Sequence, residues 1–154
     1  ARRSTATSGR VAVDPSGRFA YATGYSADVI SVYTINQSDG SLSPVAEAEA
    51  WNDPVAIAVD PSGRFVYTAG DPVICMYTID QSGGGLTFGS ADDLNSGSWA
   101  ITVDVSGRFV YTANTWSADI TVFSIDQSTG SLTQVTTADS GENPRSIISI
   151  GTIE

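Results

Sequence analysis

Apolar and β-branched residues fall into short runs separated by polar turns, and no helical 3.6-residue spacing of useful length occurs. Four such runs follow one another, and then the set returns. The first strands are expected at Val11–Val13, Ile57–Val59 and Ile101–Val103, and the second at Phe19–Thr23, Phe65–Ala69 and Phe109–Ala113. The third fall at Val29–Ile35, Val73–Ile79 and Ile120–Ile125, and the fourth at Leu42–Ala48, Leu86–Ala91 and Leu132–Thr137. Their Val, Ile, Tyr, Phe and Thr content suits a pleated surface. Runs such as Phe65-Val66-Tyr67-Thr68 are apolar or small on both sides, as strands covered on both faces must be.

The turns repeat as faithfully as the strands. Val13-Asp14-Pro15-Ser16-Gly17-Arg18-Phe19 returns at Val59 to Phe65 and again at Val103 to Phe109, at offsets of 46 and 44 residues. In the third copy Val105 replaces the proline. Asp-Pro-Ser-Gly supplies a side-chain acceptor, a fixed φ and a residue tolerant of positive φ. A second block keeps step: Ile35-Asn36-Gln37-Ser38-Asp39-Gly40, then Ile79 to Gly84, then Ile125 to Gly130. A period of about 45 residues carrying four strands is the signature of a propeller blade. The expected fold is therefore all-β: a β-propeller of four-stranded antiparallel blades, three per chain plus extra terminal strands. The blades should span 10–50, 55–94 and 99–139, with terminal strands at 1–8 and 145–154, in a single domain covering 1–154.

Asp-Pro-Ser-Gly-Arg-Phe-Val-Tyr-Thr-Ala, followed by an Ile/Val-Tyr-Thr-Ile-Asp-Gln run, resembles the lactonase-type seven-bladed β-propellers. These include the propeller 6-phosphogluconolactonases and related YVTN-repeat surface proteins. The resemblance spans roughly residues 9 to 154 and rests on structural motifs, so it implies a fold more firmly than an activity. Members with activity are expected to use His, Glu and Arg in the central channel, and this chain has no His. No catalytic set transfers residue by residue.

Three blades do not close a ring. Four strands of five residues give about 300 Å² per blade face, so two bare faces exceed what a soluble monomer usually exposes. Two chains joined through both ends would bury about 1,200 Å² in total, within the range of a specific interface. Two arrangements answer the problem: a homodimeric ring about a twofold axis, or a longer chain that supplies the missing blades. Ala1 opens the chain with neither an initiator Met nor a signal-peptide pattern, as expected of a processed chain or a fragment.

Composition narrows the functions. Seven Arg, no Lys and 17 acidic residues give a net charge of −10, which argues against nucleic acid and against anionic membrane as partners. The lack of His removes Ser-His and Cys-His pairs and His-ligated metal sites. The single cysteine, Cys75, permits no intrachain disulfide and reads as a small buried thiol. No cofactor is expected. Low charge density and abundant Ser and Thr fit an extracellular or periplasmic protein slightly better than a cytosolic one.

The loops show where a site would lie. Turns between first and second strands, and between third and fourth, hardly change from blade to blade. The other two classes differ in every blade, and in a propeller both lie at one mouth of the channel. They carry all three tryptophans, and function gathers on loops held by a rigid scaffold. The candidate ligand-binding residues are Trp51, Asn52, Asp53, Trp99, Trp116, Asp119, Glu142, Asn143 and Arg145. Asp28, Asp71 and Asp119 also read as turn residues, since no Asp-x-Asp-x-Asp-Gly calcium loop occurs. Arg18, Arg64 and Arg108 recur identically and read as structural.

Three functions remain in view. The first is a non-catalytic scaffold or binding module that assembles with a second copy. The second is a lactonase-like hydrolase of a sugar lactone, with Glu142, Asp53 or Asp119 as base and Arg145 as oxyanion partner. The third is a lectin-like propeller that stacks sugars on Trp51, Trp99 and Trp116.

Overall fold

The computed structural model describes residues 9–24, 28–51, 53–94 and 96–150. Its strands are β1 (Val11–Val13), β2 (Phe19–Gly24), β3 (Val29–Ile35), β4 (Leu42–Glu49), β5 (Ala56–Val59), β6 (Phe65–Ala69), β7 (Val73–Ile79), β8 (Leu86–Asp93), β9 (Ser98–Val103), β10 (Phe109–Asn114), β11 (Asp119–Ile125) and β12 (Leu132–Asp139). They form three four-stranded sheets in sequential order, β1 to β4, β5 to β8 and β9 to β12, with every pairing antiparallel. The twelve expected blade strands are all present. The largest boundary difference is at β9, which begins at Ser98 because the Ser98 hydroxyl is buried and donates to the carbonyls of Ala100 and Ala113. The proposed terminal strand at 1–8 lies outside the described residues, as do residues 151–154. Residues 145–150 join no ladder, but Ser149 donates to the Val103 carbonyl at 2.7 Å and so lies alongside β9.

The Asp-x-Ser-Gly turn is held by its own side chains. Asp14 accepts from the backbone N–H of Phe19 at 2.7 Å and from the Ser16 hydroxyl, and Asp60 and Asp104 repeat both contacts. Burial pushes the Asp14 carboxyl up, but the hydrogen bonds from Ser16, Phe19 and Arg18 prevail and hold it below its ordinary value. Asp104 behaves in the same way.

Each middle strand feeds two cores, because successive side chains point to opposite faces. On blade 2, Phe65, Tyr67, Ile74 and Met76 pack with Val110, Phe123 and Ile125 of blade 3. The alternate residues Val66, Cys75, Tyr77 and Ile79 pack with Phe19, Tyr21, Ile30 and Val32 of blade 1. Burial comes first among the influences that push the Cys75 thiol up, to about 11, so it is inert core.

Hydrogen bonds lock the blades in register. The Tyr21 hydroxyl donates to the Gly84 carbonyl at 3.0 Å, and Tyr67 donates to Gly130 at 2.9 Å. The Arg18 guanidinium donates to the Gln81 carbonyl at 3.2 Å, and Arg64 donates to Gln127 at 2.6 Å. Gly84 and Gly130 are required here. A Cβ on either would lie 2.4 or 2.5 Å from the ring of Phe19 or Phe65, and both glycines have positive φ.

The outermost pair of every blade carries a register shift at one place: Val32/Tyr33, Met76/Tyr77 and Val122/Phe123. The innermost strands β1, β5 and β9 stand side by side. With residues 146–148 they line a groove of about 220 Å³ where a propeller has its channel.

Candidate functional site

The variable loops meet at one end of the blades. A cleft of about 260 Å³ is lined by Asp53 and Val55 of the β4–β5 loop and by Asp71 of the β6–β7 loop. Gly97, Ser98 and Trp99 close it from the start of β9, and Trp116 closes it from the β10–β11 loop. Hydrogen bonds donated by backbone amides tie these loops together. Asp28 accepts from the Asp53 N–H at 3.1 Å, the Gly70 carbonyl accepts from Ser98 at 3.1 Å, and the Gly97 carbonyl accepts from Thr115 at 3.2 Å. The Thr115 hydroxyl donates to the Pro144 carbonyl at 2.8 Å, which brings in the segment after β12.

Gly97 makes the cleft floor. A Cβ there would sit 3.1 Å from the Trp116 indole nitrogen and 3.2 Å from the Asp71 carboxyl carbon, so the bare backbone lets both come close. Trp116 is 78% exposed although its loop is hydrogen-bonded on both sides. A large aromatic face is therefore presented to solvent by an anchored backbone.

A second depression of about 350 Å³ adjoins the first and is lined by Trp99, Thr115, Trp116, Asn143 and Arg145. The Arg145 guanidinium lies 5.8 Å from the Trp99 ring centroid, in cation–π range. Trp99 and Trp116 thus belong to both depressions, with Asp53 and Asp71 on one side and Asn143 and Arg145 on the other.

Five of the expected residues come together here: Asp53, Trp99, Trp116, Asn143 and Arg145. Trp51 is placed elsewhere. Its ring lies 5.7 Å from Phe88, and it lines a separate shallow hollow with Asp28, Val29, Glu49 and Ala50. Asp119 is the first residue of β11 rather than a loop residue, and it accepts from the Asn114 amide at 2.7 Å. The Ser-Ala-Asp triplet is thus shifted one place between blades. Asp28 takes the positive-φ position that Ala118 takes in blade 3. Glu142 is exposed and lines neither depression, and Asn52 lies outside the described residues. Sequence reasoning left Asp71 out of the site because Gly70-Asp71-Pro72 reads as a bare turn. Its place in a variable loop was the available signal. Among the described residues, no three acidic or thiol side chains converge as a metal site would require.

Sequential four-stranded antiparallel sheets with their first strands around a common groove define a β-propeller. A family model described as lactonase, seven-bladed β-propeller, matches residues 1–99 and 89–149, and the chain belongs to that family. A search of the curated proteins found no match. Among solved structures, the chain is similar to a candidate 6-phosphogluconolactonase from Bacteroides fragilis, with a TM-score of 0.81 at 19% identity over 89% of this chain and 40% of that one. It is similar to a protein from Lactobacillus plantarum, with a TM-score of 0.80 at 17% identity over 89% of this chain and 43% of that one. The periplasmic gluconolactonase of Pseudomonas aeruginosa matches with a TM-score of 0.75 at 22% identity, over 87% of this chain and 40% of that one. Identities this low carry the fold alone, and the chain spans about two fifths of the length of these structures.

Proposed function

We propose that the chain is a non-catalytic binding module of the propeller type, and that its cleft takes an uncharged, polyhydroxylated ring such as a sugar. One observation carries this reading: Trp99 and Trp116 flank a single cleft with Asp53 and Asp71. Indole faces stack on the C–H faces of a sugar ring, and carboxylates accept hydrogen bonds from its hydroxyls. Two carboxylates in a chain of net charge −10 disfavour a phosphorylated ligand. As a binding module it works within a ring completed by further blades.

Lactone hydrolysis is the second reading, and family membership is what favours it. It needs a base and an oxyanion partner around one reacting carbonyl. Here Asp53 lines one depression and Arg145 the other, with the guanidinium against the Trp99 ring. Tryptophan fluorescence titrated with a panel of neutral mono- and disaccharides, run beside a lactone-hydrolysis assay, separates the two. The expected result is a saturable change with at least one sugar, lost in Trp116→Ala, and no lactone turnover. Turnover abolished by Asp53→Asn or Arg145→Ala would establish the hydrolase instead.

A further inference from the structure

Gly24, Gly70 and Asn114 hold the same place in the three blades. Each ends or follows the second strand of its blade, opposite Val29, Val73 and Asp119 respectively. Of the three pairs, only Asn114 and Asp119 can bond through their side chains across the neck of the loop that follows. The Asn114 amide uses both of its hydrogens there, donating to the Asp119 carboxylate and to the Thr121 hydroxyl, each at 2.7 Å.

This clamp lies inside the molecule, between two blades that are both present. Asn114 is on the face of β10 that carries Val110, and Thr121 is on the face of β11 that carries Phe123. Both of those side chains pack in one core with Ile74 and Met76 of blade 2. Asn114 is 1% exposed and Thr121 3%.

The arrangement is held against local preference. The Asn114 carbonyl oxygen and the Thr112 hydroxyl on the same face are buried with no partner among the described residues. An orphaned buried acceptor is destabilising, and a glycine at this place would carry none. Ala118, in the same loop, has a left-handed φ of 56°. An alanine adopts that conformation only where its surroundings impose it. Blade 1 has Asp28 in that conformation, a residue type that tolerates it better. Stability is thus given up at the one loop that carries Trp116, and Trp116 walls the cleft against Asp71 and Gly97. Departures from local rules collect where a site has to be held in place.

We propose that Asn114 is a positioning residue of the cleft, closing the β10–β11 loop at its neck so that Trp116 stands fixed as a stacking face. An aromatic wall already held in its bound position leaves less ordering to be done when a ligand arrives. The inference rests on the binding-module reading for its ligand, though not for the clamp itself.

Two readouts test it, and the first needs no ligand. With Trp51→Phe and Trp99→Phe, Trp116 is the one tryptophan left of three, and its fluorescence anisotropy and quenching by acrylamide report on the loop. Asn114→Gly installs the residue that blades 1 and 2 carry, and Asn114→Ser, too short to span the neck, is a second variant should the first fail to fold. Circular dichroism and thermal unfolding confirm the fold of each. In Asn114→Gly the anisotropy of Trp116 should fall and its quenching rise. In the chain with all three tryptophans, titration with neutral mono- and disaccharides should show affinity weakened about tenfold, the scale of one charge-assisted hydrogen bond. Asn114→Asp alone should loosen the loop as well, because it sets two carboxylates side by side. Asn114→Asp combined with Asp119→Asn should restore it, since amide and carboxylate have only changed places and the Thr121 hydroxyl can donate as well as accept. Trp116 held as firmly in Asn114→Gly as in wild type, a sugar affinity that Asn114→Gly leaves unchanged, or an exchanged pair as loose as Asn114→Asp alone would each overturn the proposal. A loop freed by Asn114→Gly in a chain that binds no sugar would uphold the clamp and remove the binding-module reading instead.

Discussion

Blade 2 and blade 3 have nearly the same sequence in their second strands, Phe65-Val66-Tyr67-Thr68-Ala69 against Phe109-Val110-Tyr111-Thr112-Ala113, and different surroundings. All five residues of β6 are buried, whereas β10 alternates between half-buried and buried over Phe109 to Thr112. The alternation is usually taken as the mark of a strand with one wet face. Here it is created by position alone, since the residues are the same. The amphipathic look of a blade thus belongs to the neighbour it lacks rather than to its sequence. Side chains of the half-covered face gain their full burial only when another sheet arrives.

The sharpest way to break this comparison is to remove the same ring from both blades. Phe65→Ala should cost about 3–5 kcal/mol, as buried Phe truncations do, and Phe109→Ala about 1–2 kcal/mol in the isolated chain. Urea unfolding at low protein concentration reads both, and equal costs would refute the difference in burial. Next come the turn glycines. Gly130→Ala drives a methyl into the Phe65 ring and strains a positive φ, for about 2–4 kcal/mol, whereas Gly40→Ala meets only the strain, for about 1 kcal/mol. Tyr67→Phe strips the Gly130 carbonyl of a buried donor and should cost about 1–2 kcal/mol, and Tyr111→Phe should change little.

Acid provides the smallest effect and the one shared by both end blades. Asp14 and Asp104 have folded-state values below the ordinary 3.8, so their contribution is present above about pH 4 and fades as pH falls through the lowered values. Asp126, held at about 2 first by the Ser128 hydroxyl, acts in the same sense. Asp92 opposes them, because burial and then Asp93 raise it, so protonation favours its folded state as pH falls. Thermal unfolding between pH 5 and pH 2 should show a net decline of a few degrees, reduced in Asp126→Asn and enlarged in Asp92→Asn.

The strands were legible because two of the four turns in each blade state their geometry. Asp14, Ser16 and Gly17 each do what their chemistry predicts, three times over. The mouth of the channel was legible by contrast, since it is where the repeats disagree. Which loop residues meet was not legible. Trp51 and Trp99 look alike in sequence, yet one lies against Phe88 of the next blade and the other walls the cleft. Asp119 was drawn into the site by a triplet that slides one position against the strand register. Asp71 entered the cleft because Gly97, a residue of another loop, leaves room for it. These outcomes depend on contacts between loops 20 to 45 residues apart, which local pattern does not encode.

The register shift in each outermost pair has a consequence for aggregation. A strand at a sheet rim offers unpaired amides and carbonyls to any passing strand, the route by which β-proteins polymerise into fibrils. An extra residue on each outer strand, Val45, Gly89 and Val135, twists β4, β8 and β12 out of the flat line such zippering requires, and Pro44 removes one amide from β4 at the same place. The rim is thereby made a poor template. Pairing through this edge, which would add strands without limit, is disfavoured.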